Sequence, residues 1–140
     1  MKKLFNLSFF YFIVAMIGGV FYREFTKHMN FTGETTLAVI HVHLLVLGTF
    51  LFLILLLFCK NSTLQTNRHF QIFLILYNIA LPLMVIMMWI RGVFQVLQTS
   101  LSTGTNGAIS GIAGISHILL LISFLFLFSA LKNTVLQSEK

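Results

Sequence analysis

Four long apolar runs, broken by short polar links, account for most of the chain. They cover roughly residues 4–22, 34–59, 70–97 and 108–131. Each is about 20 residues or more, the length a helix needs to cross about 30 Å of hydrocarbon. In lipid every backbone N–H and C=O must find a partner inside its own segment, so helices are the open-chain solution. The strand alternative lacks its two marks, alternation with a period of two and closely spaced turns. The links, 23–33, 60–69 and 98–107, are short, which makes successive helices antiparallel. The pattern predicts a single all-α domain: an up-down bundle of four transmembrane helices, with both termini at the same end.

The polar residues inside these runs are few. His41 and His43 stand in the second run, Arg91 near the end of the third, and His117 in the fourth. At about 1.5 Å per residue, His41, His43 and Arg91 lie roughly 10 Å deep, and His117 about 15 Å. All four depths are measured from the end that carries the 23–33 and 98–107 links. An imidazole at bilayer depth has lost its water and marks a functional site by default. Its structural alternative is a hydrogen bond that holds two helices together.

Helical periodicity assigns these residues to faces. His41 and His43 are two residues apart, about 200° around a helix, so they serve two different surroundings. Glu34, His41 and Gly48 share one stripe, and the glycine suggests close approach by a helix or a flat ligand. Thr36, His43, Leu47 and Phe50 form the roughly opposite stripe. In the fourth run Ser110, Gly114 and His117 share a face, beside a groove cleared by Gly107, Gly111 and Gly114. In the third run Met84, Met88, Arg91, Gln95 and Gln98 line up. Pro82, with Asn78 one turn before it, predicts a kink with a local hydrogen-bond repair.

Composition sharpens the membrane reading. The chain has 140 residues, 58% hydrophobic and only 9% charged, against roughly 25% in a soluble domain. The net charge is +6, with nine Lys and Arg against three acidic residues and no Asp. Lys2, Lys3, Lys60, Arg68, Lys132 and Lys140 fall at one end; Arg23, Lys27 and Arg91 fall at the other. Six against three places both termini in the cytoplasm of a bacterial cell whose plasma membrane the chain spans. The charge therefore reports orientation and lipid headgroups, and no nucleic-acid partner is expected. The N-terminal Met1-Lys2-Lys3 resembles a secretory signal, but no small-x-small site follows the apolar run, which reads as a retained first helix. Cys59 is the lone cysteine and reads as a packing residue.

Histidines on two helices, glycines that make room and a nearby arginine together suggest haem. Imidazole nitrogen is a common axial ligand of haem iron, and bundles build cofactor sites from facing helices. Arg91 would pair with a propionate, which offsets its desolvation. The candidate cofactor-binding residues are thus His41, His43, His117, Arg91, Gly48 and Gly114, with His41, His43 and His117 as candidate iron ligands. Zinc or copper is the alternative, since imidazole suits both. No nucleophile–base pair or phosphate loop is present to argue for hydrolysis or phosphoryl transfer.

Several short motifs carry a resemblance across nearly the whole chain. They are Tyr22-Arg23-Glu24-Phe25, the run from His41 to Gly48, Tyr77-Asn78, Arg91-Gly92, and Ser110 to Gly114 ahead of His117. In these the chain resembles a small family of four-helix membrane proteins of uncharacterised function, found mostly in Gram-positive bacteria. More distantly, the His-x-His run followed by glycine looks like the histidine-bearing helix of the catalytic subunit of haem–copper oxidases. It also looks like that of the nitric-oxide-response membrane haem proteins. The resemblance implies haem b, with His41 or His43 as one ligand and His117 opposing it. This chain has no histidine cluster for copper, so the resemblance implies one haem per chain, or one shared across a homodimer. The functions to weigh are electron transfer, gas sensing or haem handling, a zinc or copper transporter or accessory protein, and a non-catalytic assembly subunit.

Overall fold

The structure, a computed structural model, describes residues 1–60 and 62–138, with side chains as far as residue 134. Lys140, one of the six cations that set the expected orientation, lies outside the described residues. Four long helices follow one another: α1 (Lys2–His28), α2 (Leu37–Lys60), α3 (Arg68–Val96) and α4 (Thr103–Ser138). A single 3₁₀ turn, Leu64–Thr66, sits between α2 and α3. All four helices are long and apolar enough to cross a membrane. The bundle expected from the hydrophobic pattern is the one observed. Both termini and the 3₁₀ turn lie at one end, the terminal end; the 29–36 and 97–102 links lie at the other, the distal end.

The helices overrun the apolar stretches that announce them. α1 continues six residues past Tyr22 through Arg-Glu-Phe-Thr-Lys-His. These residues are tolerated in a helix, and no glycine or proline intervenes before Gly33. The Thr26 hydroxyl stays paired by donating to the Tyr22 carbonyl at 2.8 Å. Asn67 starts α3, its side chain accepting from the His69 and Phe70 amides.

α3 is the pillar. It is the most covered helix, with 44% of its central window buried, against 22% for α4. Phe70, Phe73, Tyr77, Ala80 and Leu81 are fully enclosed. α1 packs mainly along α2 and reaches α3 through Tyr11 and Phe21. The Tyr11 hydroxyl donates to Asn78 Oδ1 at 3.1 Å, and the Phe21 ring lies 5.3 Å from Trp89. α4 packs chiefly on α3 through Ser116, Leu120, Ser123, Leu127 and Ala130. Pro82 lies inside an unbroken α3; the Asn78 amide donates to the Leu74 carbonyl at 2.7 Å, one turn before the Asn78 carbonyl that Pro82 leaves without its N–H.

The middle of α2 departs from a regular helix. Leu44–Phe50 forms a π-helical segment. Such wide turns leave carbonyls off the ordinary ladder. Two of them are caught by neighbours: Tyr77 donates its hydroxyl to the Leu47 carbonyl at 2.8 Å, and Ser8 to that of Thr49 at 3.0 Å. Gly48 lies inside the segment, flat against α1. A Cβ there would stand 2.5 Å from the Tyr11 Cβ, so only glycine permits this approach.

The distal end is fastened by backbone-directed bonds. Thr35 donates to the Gly92 carbonyl at 3.0 Å, and Thr36 to the Met88 carbonyl at 2.7 Å. The Thr36 amide donates to Gln95 Oε1 at 2.8 Å. Gly92 lets Leu37 come in against α3, for a Cβ at that position would meet the Leu37 backbone nitrogen at 2.8 Å. Replacing Gly92 by Ala is therefore expected to cost about 1–3 kcal/mol through overpacking. Gly107→Ala, where nothing lies within 4 Å, should leave stability unchanged or slightly higher. Thermal unfolding of both variants in detergent checks this, and equal midpoints would refute the close approach.

Candidate functional site

The two histidines of α2 part company, as their 200° separation requires. His41 faces α1. A Cβ added to Gly19 would rest 3.6 Å from the His41 Cβ, so the ring packs along the α1–α2 seam. His41 Nδ1 is buried and has no hydrogen-bond partner. His43 faces the other way, on the side of α2 that also carries Thr36. Gly48 shares the α1-facing stripe with His41, and its open side is filled by Tyr11.

Thr36 opens a cleft of about 210 Å³ floored by α3. Its walls are Thr36 of α2 and Ser110 and Ala113 of α4; its floor is Met87, Met88 and Arg91. On α4, His117 follows Ser110 by seven residues and Ala113 by four, so it continues the same wall toward the membrane centre. His43 follows Thr36 by seven and continues the opposite wall. Farther in, Tyr77 of α3 touches both Phe52 of α2 and Phe124 of α4 at ring separations of 5.8 and 5.4 Å. His43 and His117 thus continue the α2 and α4 sides of this cleft, or furrow, inward; neither lines the cleft itself, and His117 is exposed.

Their depths match closely. Thr36 is tied to Met88, and Ser110 accepts from Arg91 Nη2 at 2.7 Å. Met88 and Arg91 are one turn apart on α3. Each histidine is seven residues, roughly 10 Å, farther in than its tied neighbour, which sets the pair within about one turn of a common level. Met84 of α3 lies at about this level, buried.

The ring nitrogens are set alike. His43 Nδ1 lies 2.8 Å from the Val39 carbonyl, and His117 Nδ1 lies 2.7 Å from that of Ala113. A carbonyl only accepts, so Nδ1 carries the proton and donates. In the neutral ring Nε2 is then left with its lone pair, the state a metal ligand needs. His41 has no such acceptor. Its buried Nδ1 is best left bare, with the proton on Nε2. Sequence spacing separated the faces of His41 and His43 but gave no sign of this difference in tautomer.

Arg91 is half-buried at the mouth of the furrow, and its bond to Ser110 leaves the rest of the guanidinium free. Ser110 itself donates to the Asn106 carbonyl at 2.9 Å. Among the described residues the one ion pair is Arg23 with Glu24, at 3.6 Å and exposed. Among the described residues no carboxylate is paired with Arg91. Gly107, Gly111 and Gly114 open outward with nothing within 4 Å. Among the described residues no group of three or more His, Cys, Asp or Glu is placed to share one ion.

These features define a multi-pass membrane protein of four apolar helices with a polar furrow between the second and fourth. Residues 1–134 match the family model described as "Protein of unknown function (DUF2871)", and the chain belongs to that family. No curated protein and no solved structure matches the chain.

The tautomers can be checked without any ligand. Nitrogen-15 NMR of histidine-labelled protein is expected to show Nδ1–H for His43 and His117, and Nε2–H for His41. Nε2–H at His43 or His117 would remove the basis for regarding them as metal-ready.

Proposed function

We propose that this protein binds haem b in the furrow, with His43 and His117 as the two axial ligands. The observation that carries the reading is the pair of imidazoles on α2 and α4, near one depth, each holding its Nδ1–H on a carbonyl one turn back. That arrangement orients the ring and leaves Nε2 with its lone pair, as ligating histidines require. Two imidazoles suffice for a six-coordinate haem, whereas a closed zinc site needs four ligands. The donor set present therefore fits haem better than zinc.

Arg91 fits the propionate end. It lies at the distal mouth, roughly 10 Å from the histidine level, with donors to spare. The buried Met84 and Met87 and the rings of Tyr77 and Phe124 give the furrow an apolar floor and inner end. His41 stays outside the ligand set, since it faces α1. When bound, the haem would supply one-electron or gas-binding chemistry, and the protein would supply ligands, orientation and potential. The roles to which this points are electron transfer, gas sensing or haem handling. Lys2, Lys3, Lys60, Arg68 and Lys132 at the terminal end, against Arg23, Lys27 and Arg91 at the distal end, support an orientation with the termini in the cytoplasm of a bacterial plasma membrane.

Absorption spectroscopy of protein purified from haem-replete cells tests this. The expected result is a Soret band and a low-spin reduced spectrum. His43→Ala and His117→Ala should each abolish the low-spin form, while His41→Ala should keep it. Arg91→Gln should weaken haem retention by about tenfold or more, the range of one charge-assisted hydrogen bond. A folded, colourless protein would overturn the reading. Stoichiometric zinc or copper by elemental analysis would then favour a metal transporter or accessory protein, and co-purification with a larger complex an assembly subunit.

A further inference from the structure

On the side of α4 away from the furrow, a second groove runs between α3 and α4 at the terminal end. It has a volume of about 270 Å³ and is lined by His69, Ile122, Leu125, Phe126 and Ser129. Its walls are apolar for the length of Ile122 to Phe126, and its polar atoms are gathered at one end. There His69 Nδ1 lies 2.8 Å from Ser129 Oγ, and the edge of the His69 ring meets Phe126 at 5.7 Å between centroids. The imidazole is thus held from two sides, by a hydroxyl and by an aromatic ring. An apolar trough with a fixed polar head has the polarity of a lipid, chain first and headgroup last.

Among the described residues the charge around that head has one sign. Arg68 adjoins His69, and Lys132 follows Ser129 by three residues, one turn along α4. Both are exposed. Lys2, Lys3 and Lys60 belong to the same end of the bundle. Among the described residues both acidic side chains, Glu24 and Glu34, lie at the distal end. A phosphate at His69 would lie near Arg68 and Lys132, and among the described residues no carboxylate stands at this end. A zwitterionic headgroup would bring its own cation into this field, whereas an anionic one would not.

We propose that this groove is a binding site for one anionic glycerophospholipid. An acyl chain lies along Ile122, Leu125 and Phe126, and the phosphate rests between Arg68 and Lys132 at His69. The site shares no residue with the furrow, and so stands or falls apart from the haem reading.

Native mass spectrometry of the full chain in detergent tests it, with phosphatidylglycerol and phosphatidylcholine of identical acyl chains. One phosphatidylglycerol is expected to stay bound where phosphatidylcholine is lost. Arg68→Gln and Lys132→Gln should each lower retention about fivefold, the effect of one cation near an anionic surface. Lys27→Gln, at the distal end, should not. Leu125→Trp, at a lipid-exposed position, should fill the trough and lower retention with every charge intact. Equal retention of the two lipids would overturn the proposal, as would retention unaffected by both Arg68→Gln and Leu125→Trp.

Discussion

A bare carbonyl oxygen in hydrocarbon costs more than most side-chain contacts return, and α2 breaks its own ladder at the membrane centre. The π-helical turns of Leu44–Phe50 are sustainable because hydroxyls come in from both sides. Tyr77 of α3 takes the Leu47 oxygen and Ser8 of α1 takes that of Thr49. Each bond joins two helices while it repairs one. The same irregular stretch carries Gly48, against which the Tyr11 ring lies, and Tyr11 in turn donates to Asn78 of α3. Three helices are thereby fixed around a single defect. His43 is the last residue before it, so the direction in which that imidazole projects is set where the regular turns end.

Much of this was legible in the residues. Hydropathy and link length determine the number, order and direction of the helices. The two-residue spacing puts His41 and His43 on opposite faces. Other features had no local signal. The π segment reads as ordinary apolar helix, because it exists only through what α1 and α3 bring to it. Gly48 suggests close approach but not by what; Tyr11, 37 residues earlier, supplies the answer. The polar continuation of α1 past Tyr22 is invisible to hydropathy, since helices do not stop where the membrane does.

The furrow was half legible. His117, Ser110 and Arg91 stand out as polar residues at depth, and their neighbours on each helix follow from periodicity. That the α2 wall meets the α4 wall across α3 depends on the tertiary ties of Thr36 and Arg91, which spacing alone cannot give. Nor could spacing show which imidazoles hold a proton on Nδ1. That depends on whether the carbonyl one turn back lies within reach, as it does at Val39 and Ala113.

The uneven seating of α4 has its own mechanical meaning. α1, α2 and α3 are interlocked through the π segment and the distal threonines, whereas α4 touches chiefly one neighbour and turns most of its circumference to lipid. Local opening begins where the least surface is given up. The seam along α3 is accordingly what holds α4 in the bundle, and its anchors are small side chains, Ser116, Ser123 and Ala130, each with no exposed surface.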